Sequence, residues 1–576
     1  MKRKWTGLVA AALAVALGVG ALGGCAPKGD AGDARFYLWS DDGATPAGFA
    51  DVLGAFNEGA GREMGVKLQF SFDTQSDYKQ NLNLAIASGQ NKYDAVFDAA
   101  WVYLSEFAKK DYYYELSGYF NSDAYAGLKG AFDAEFLNNN KFNNGVYGVP
   151  LTETFSDITV AYLRKDWRVE CAADTGWAKP AGISTSAVAA ADLADGVDNF
   201  DELEYYLYWV KAKKDGVVPA LSNNDATWGA WDLINTRILP AKSAQDAVND
   251  GVKTNILVRQ GVEASAYIRN GEVRAADIKE FLSPAAAKGA SGFPPGFDTP
   301  DPKWQGDFLT ARRWRDDGII GADVMGTTDS DAKFKAGLGG AVVQTINNFA
   351  AVETQLKANN PGAELEIYVN DPAIREKRNG YAQTDYKAWN FLCIPKTVPQ
   401  AKADKIMKFL NWLFESRENH DLFQYGIRGR HWDAARDENG AEIEGTVSTA
   451  GMEAYAFPAY ELTWNQNYIR VQSASDPKVT EYSRYMYDSS RYVSILYSGF
   501  TFDPQRTTEL SNAVNNATLG SAVTKAQSYR LGQIAGPVEA WNAELSGRHG
   551  NVALQGAADV IKDEIIGQLQ AYVDGL

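Results

Sequence analysis

Histidine and cysteine are scarce in this chain, with three of each among 576 residues. The histidines, His420, His431 and His549, are too far apart for an H-E-x-x-H zinc helix, and no G-x-S-x-G elbow, P-loop or C-x-x-C pair occurs. A nucleophile activated by histidine and a redox dithiol therefore have no sequence support. The cysteines are Cys25, Cys171 and Cys393, too few and too scattered for a disulfide framework. Basic residues are outnumbered as well: 56 Lys and Arg face 73 Asp and Glu, for a net charge of -17. That acidity argues against nucleic acid or an anionic membrane surface as partner, since both attract clustered Lys and Arg. No sustained repeat is present. Beyond the first 25 residues no apolar run approaches membrane length, so the remainder reads as soluble.

The start of the chain is different. Lys2, Arg3 and Lys4 precede an uncharged stretch from Trp5 to Gly24 that ends in Leu22-Gly23-Gly24-Cys25. A positive start, an apolar middle and small residues before a break form a secretory signal. A membrane-spanning helix is the alternative, and five glycines before Cys25 weigh against it. The segment resembles the lipobox of bacterial lipoproteins, which implies cleavage after residue 24 and an acyl-bearing Cys25. Residues 25–34 then form a short tether of flexible composition. Loss of residues 1–24 removes three positive charges, taking the net charge from -17 to -20. A Gly18-x-Gly20-x-x-Gly23 match to the dinucleotide fingerprint falls inside this signal and carries no meaning there.

The length predicts two or more domains, and 45% hydrophobic content is ample for packed cores. The mature chain opens with an α/β pattern. Phe36-Tyr-Leu-Trp39 predicts a strand, and Thr45-Pro46 predicts the cap and first turn of a helix carrying Phe49, Val52, Leu53 and Phe56 on one face. Val66, Leu68, Phe70 and Phe72 alternate as a strand; a helix over about 78–88 and a strand at Asp94-Ala-Val-Phe97 follow. Parallel βα units are the simplest account. An extended stretch over 158–166 reads as a crossing between lobes. Asn199-Phe-Asp-Glu202 starts a helix in the manner of a capping box. Residues 270–307 suggest mixed helix and loop, residues 340–343 an apolar strand, and residues 406–414 and 557–573 amphipathic helices.

Several ordered motifs point to a family. Ala87-Ser-Gly-Gln90, Tyr93-Asp-Ala-Val-Phe97, Tyr147-Gly-Val-Pro150, Tyr162-Leu-Arg-Lys-Asp-Trp167, Phe200-Asp-Glu-Leu203, Ile394-Pro-Lys396 and the block 401–432 together resemble the extracellular solute-binding proteins of carbohydrate ABC importers. The likeness is to family 1, the maltodextrin-binding-protein-like group, and within it to the large lipoproteins of Gram-positive type, which Phe457-Pro-Ala-Tyr-Glu-Leu-Thr-Trp464 also suggests. The family passes from its Lys-Asp-Trp motif to its Asp-Glu-Leu helix in a much shorter stretch than residues 168–198 here. The resemblance implies an α/β, two-lobed, periplasmic-binding-protein-like fold with a hinge and a helix-rich C-terminal region. It places lobe 1 at 35–151 plus 371–433 and lobe 2 at 155–368 plus 434–576. It further implies a monomer that needs no cofactor, closes on a carbohydrate and presents it to permease subunits, with the membrane reached through Cys25.

A sugar site needs apolar faces for ring C–H surfaces and paired donors and acceptors for hydroxyls. Among 70 aromatics, Trp39, Trp101, Trp228, Trp231, Trp389 and Trp464 stand in or beside polar loops. Ligands of open α/β sheets lie beyond the carboxyl ends of the strands, which adds Asp41 and Asp98. Glu153 at the hinge and the amides of Asn347 and Asn348 complete the candidate set. Each tryptophan has an alternative role as a packing anchor, and Glu153 one as an interlobe hydrogen bond. Asp192, Asp195 and Asp198 lie in an acidic stretch that a hard cation would favour, although the EF-hand order is missing and a solvated loop would look the same. Two alternatives to transport stay open at this level: a surface glycosidase using Asp98 and Glu153, and an adhesive or structural lipoprotein.

Overall fold

The computed structural model describes residues 33–575 apart from 41, 143–144, 153–157, 184–187, 225–228, 238–245, 247–250, 260–261, 279–292, 294–302, 385, 438, 474–475, 487, 489–490, 495–496, 498 and 549–550. Cys25, the tether up to residue 32, Asp41, Glu153, Trp228 and His549 thus lie outside the described residues.

The chain is two-lobed, each lobe built on its own sheet. The first sheet is ordered Lys67–Asp73, Asp33–Trp39, Ala95–Ala99, Asn390–Cys393, Val149–Pro150. Its first three strands are parallel and the other two run antiparallel to their neighbours. Alternation explains how it is covered on both faces. Phe36 packs against Phe70 and against Phe409 of the helix Gln400–Leu413, whereas Tyr37 stacks on Tyr93, 3.9 Å between centroids, and on Tyr78 of the helix Gln75–Ala87.

The second sheet is ordered Leu365–Val369, Thr159–Arg164, Gly339–Thr345, Val218–Ala220, with Thr159–Arg164 antiparallel to both neighbours. Here the period of two separates two cores. Ala161, Leu163, Ala341 and Val343 enter one, shared with the helix Phe200–Lys213 and the C-terminal helices; Val160, Tyr162, Val342 and Ile367 enter the other, with Phe349 and Tyr482. The described residues of the stretch 168–198 contribute to the first of these. Cys171, Ile183, Leu193 and Val197 are buried in it, and the buried Arg168 binds the Glu366 carboxylate at 2.7 Å and the carbonyls of Leu193 and Ala194. Cys171 and Cys393 are free thiols in separate cores.

Among the described residues, three crossings join the lobes. The chain leaves the first sheet at Val149–Pro150 and enters the second at Thr159; it returns between Val369 and Asn390; and it leaves the first core after Leu462 to reach the second lobe at the helix Pro477–Met486.

Most predicted elements are present with extended ends. The helix at 200 starts as its sequence implies: Asn199 Oδ1 accepts the Glu202 N–H at 3.0 Å, and the Glu202 carboxylate accepts the N–H of Asp198. Two expectations need correction. The helix expected to begin at Thr45-Pro46 is Phe49–Glu58, because Gly48 adopts φ 73° and delays it. Residues 270–307 are not mixed helix and loop throughout: Glu272–Ile278 is the third strand of an antiparallel meander with Val252–Arg259 and Val262–Arg269. Asn270 and Gly271, with φ of 54° and 76°, form the tight turn between the last two strands. The C-terminal helix Val552–Asp574 packs on this meander, and the Gln570 side chain accepts the Val273 N–H and donates to the Gly271 carbonyl.

Gly48 is held where a side chain has no room. A Cβ there would lie 2.6 Å from the Ala454 carbonyl oxygen, and the neighbouring Ala47 carbonyl accepts the Ala456 N–H. Gly48→Ala is therefore expected to lower stability by about 1–3 kcal/mol, read as a drop in urea midpoint at constant slope.

Candidate functional site

Strand direction decides which loops meet. Asp33–Trp39 and Ala95–Ala99 are parallel neighbours, so the loops after Trp39 and Ala99 leave the same edge of the sheet. Asn390 pairs with Ala99 at the start of the antiparallel strand, which brings Trp389 to that edge, and Pro150 pairs with Phe391, which brings the first crossing there. This is the edge where ligands of such sheets collect.

The returning segment 457–465 closes over that edge. Tyr460 is its central contact, with ring centroids 5.7 Å from Trp39, 6.1 Å from Trp464 and 6.4 Å from Phe97. Phe97 in turn lies 6.0 Å from Trp101. The Trp101 indole N–H donates to Asn390 Oδ1 at 3.1 Å, and the Ala100 N–H donates to the Trp389 carbonyl. Trp101 and Trp389 remain 39% and 38% exposed, so both keep surface accessible to solvent at this edge. Four of the tryptophans predicted from sequence, Trp39, Trp101, Trp389 and Trp464, are therefore gathered in one place.

The polar frame beneath them is buried. Glu461, fully enclosed, accepts the Trp39 backbone N–H at 2.9 Å. The Thr152 hydroxyl and carbonyl both accept the Gln466 N–H, so the returning segment is tied to the first crossing. Trp39 Nε1 and Asn465 Nδ2 are enclosed donors with no acceptor among the described residues. Such groups cost free energy unless something satisfies them.

Asp98 has a different role from the one its sequence position suggests. It is fully buried; Oδ1 accepts the N–H groups of Ala99 and Tyr103, and Oδ2 accepts the Tyr113 hydroxyl at 2.7 Å. It braces the loop that carries Trp101 and does not face a ligand. Burial pushes its pKa up to about 7, against the opposing effect of those hydrogen bonds.

On the second lobe, Asn347 and Asn348 follow the strand Gly339–Thr345 directly beside the first crossing, where the Ile346 N–H donates to the Ile158 carbonyl. Asn348 is exposed and donates to Gln344 Oε1. Asn370, whose N–H binds the Thr159 carbonyl, is 1% exposed with neither side-chain amide atom partnered among the described residues. Trp231 is not at this site: its helix, Ala230–Asn235, buries it in the second-lobe core, where it stacks on Phe308 at 5.5 Å.

The acidic stretch does not form a cation site. Asp192 accepts the Ala189 N–H of its own turn, Asp198 pairs with Lys478 at 2.7 Å, and Asp195 lies in the field of Arg168. Among the described residues no group of three or more His, Cys, Asp or Glu could hold a metal ion. His420 and His431 are buried, and burial lowers the pKa of both. Sequence reasoning did not single out Tyr460, Glu461, Asn390 or Lys79, although the first two lie inside a quoted motif.

No protein-family model and no curated protein matches this sequence. Solved structures do. The chain is similar over 94% of its length to 99% of the N-glycan transport solute-binding protein NgtS from Streptococcus pneumoniae in complex with Man1GlcNAc, at 15% identity and a TM-score of 0.61. It is also similar, over 94% of its length, to 99% of FusA, an ABC-transporter substrate-binding protein of S. pneumoniae in complex with kestose, at 12% identity and a TM-score of 0.52. For the calcium-free alginate-binding protein AlgQ2 the figures are 94% and 98% coverage, 15% identity and 0.50. The chain has the two-lobed fold of the solute-binding proteins.

The buried Asp98 gives a pH test. Its carboxyl holds a proton in the folded chain up to about pH 7 but loses it near 3.8 when unfolded, so its contribution to stability falls as pH rises through that window and is constant above it. Asp98→Asn cannot ionise and keeps an acceptor for the two N–H groups. The melting temperature of the natural chain relative to this variant is expected to fall between about pH 4 and 7 and then level; parallel curves would show that burial does not perturb Asp98.

Proposed function

We propose that this chain is the extracytoplasmic binding component of a carbohydrate ABC importer, capturing a sugar, most simply an oligosaccharide, between its lobes and delivering it to permease subunits. The observation that carries this reading is the aromatic cluster of Trp39, Trp101, Tyr460 and Trp464 at the carboxyl edge of the first sheet, beside a crossing to the second lobe. Aromatic faces next to unpaired N–H donors match the amphipathic surface of a sugar ring. The neighbours of the same fold, NgtS and FusA, were solved with saccharides, which supports the ligand class.

In this reading lobe 1 comprises 35–151 plus 371–433 and also the returning segment to about 465, which the sequence expectation put in lobe 2 but whose Phe457, Ala459 and Leu462 pack in the first core; lobe 2 comprises 155–368 plus the rest of 434–576, with the ligand drawing the lobes together. Asn347 and Asn348 face the ligand from the second lobe, and Asp41, Glu153 and Trp228, which lie outside the described residues, belong to the proposed ligand set on their sequence positions alone. The chain acts as a monomer without a cofactor or nucleic-acid partner. It is held at the cell membrane by acyl chains on Cys25, after removal of the signal peptide, as an extracellular lipoprotein. No helix among the described residues is long and apolar enough to cross a membrane. A tether of this kind raises the local concentration of the binding protein at its permease. Catalysis is not part of the proposal, because Asp98, one of the two carboxylates a glycosidase would need, has its oxygens committed to protein donors.

Titration of residues 26–576 with an oligosaccharide panel is expected to change tryptophan fluorescence and contract the radius of gyration in X-ray scattering, with no new reducing ends. Trp101→Ala and Tyr460→Ala are each expected to weaken the best ligand by about tenfold or more, on the order of 1–2 kcal/mol. Absence of glycan binding, or turnover of a glycan, would overturn the reading. Cys25→Ala is expected to abolish palmitate labelling and release the protein into the medium.

A further inference from the structure

Among the described residues, one charged group in the site is left without its counterpart. Lys79 follows Tyr78 on the helix Gln75–Ala87, and Tyr78 is pinned beneath the sheet edge with its hydroxyl on the Phe97 carbonyl at 2.5 Å. The next residue is thereby aimed at Trp101: Lys79 Nζ lies 4.8 Å from the centroid of its ring. Asn390 fixes that ring through the indole N–H. Lys79 is half-buried, and among the described residues no carboxylate pairs with it. The acids nearest in sequence are engaged elsewhere: Asp77 accepts the Thr74 hydroxyl, and Asp73 accepts from Tyr37 and from the Asn81 amide.

Acids outnumber bases in this chain, and Lys109 and Lys402, which are also half-buried in the first lobe, have carboxylate partners. A partly desolvated ammonium over an indole can donate to a neutral hydroxyl oxygen, but it gains more from an added anion, where hydrogen bonding and charge attraction combine. Burial lowers the Lys79 pKa, with no carboxylate counteracting it, which agrees with the missing counter-charge.

We propose that Lys79 and Trp101 form a subsite for a carboxylate-bearing sugar, so that the ligand is an acidic oligosaccharide containing a uronic acid residue. The sugar's C–H face lies on Trp101 while its carboxylate meets the Lys79 ammonium. This rests on the binding role proposed above and names the class of its ligand.

The test uses the detergent-extracted protein and isothermal titration calorimetry. Uronate oligosaccharides of several linkages are each paired with their carboxyl-reduced, neutral counterparts. At low salt at least one uronate is expected to bind about tenfold or more tightly than its neutral partner, the size of a charge-assisted hydrogen bond, and rising salt narrows the gap. Lys79→Met is expected to reduce that affinity ratio about tenfold, while Lys79→Arg, which keeps the charge, preserves it. Neutral sugars binding as well as their acidic partners, or an unchanged ratio in Lys79→Met, overturns the acidic-ligand inference and leaves the transport reading standing. Failure of every sugar, acidic and neutral, overturns both.

Discussion

A buried carboxylate accepting one backbone N–H, Glu461 on Trp39, is the contact on which the site depends. The partners are 422 residues apart in the chain, so the bond exists only when the returning segment is seated on the first sheet. A carboxylate with no exposure is costly unless donors surround it, and the same is true of a strand-end N–H. Together they fix where residues 457–465 lie. Tyr460 is then pressed against Trp39 and Phe97, Trp464 against Tyr460, and the following residues against Thr152 at the first crossing.

Beneath this edge the lobes are rigid for ordinary reasons. The first sheet carries aromatic packing on both faces, and the second separates two cores by strict alternation along Thr159–Arg164. That rigidity allows unsatisfied groups to persist at the edge. Trp39 Nε1, Asn465 Nδ2 and the Asn370 amide have no partner among the described residues, each at a cost of roughly 1–3 kcal/mol. All three lie at the sheet edge or beside a crossing, where a ligand or a change of lobe angle can supply what is missing.

The sequence was most legible where function follows local position. Trp39, Trp101 and Trp389 flank strand ends, and strand ends are recognisable from alternation and polar loops, so these residues could be nominated without a structure. Tyr460 and Glu461 could not be, because their importance lies in what they touch hundreds of residues away. Trp231 misleads for the opposite reason: it follows a polar loop, but Ala230, Trp231, Leu233 and Ile234 form a short helix whose apolar face turns inward. Asp98 misleads because it lies inside a strand buried along its whole length, where its donors are the Ala99 and Tyr103 N–H groups and the Tyr113 hydroxyl rather than solvent or ligand. The meander over 252–278 has a local signal in the alternation of Val262, Ala264, Ala266 and Ile268 and in the Asn270-Gly271 turn, which the Pro-rich stretch after it obscures.

The distribution of chemistry between the lobes bears on how closure is driven. The described aromatic faces of the site lie on the first lobe, so a ring stacked there gains the same contact whether the lobes are apart or together. A ligand shifts a two-state equilibrium only through contacts that differ between the states, and moving it from 1:99 to 99:1 takes about 5.5 kcal/mol. For a binding protein of the proposed kind, stacking therefore sets residence on the first lobe, and the groups that meet the ligand only after closure must be the polar ones beside the second sheet, Gln344, Asn347, Asn348 and Asn370. Two to four hydrogen bonds of about 1–3 kcal/mol each would suffice, provided the donors and acceptors are held in place beforehand. Asn370 meets that condition best: its backbone is bound to the crossing strand at Thr159, and its enclosed amide has no competing partner among the described residues.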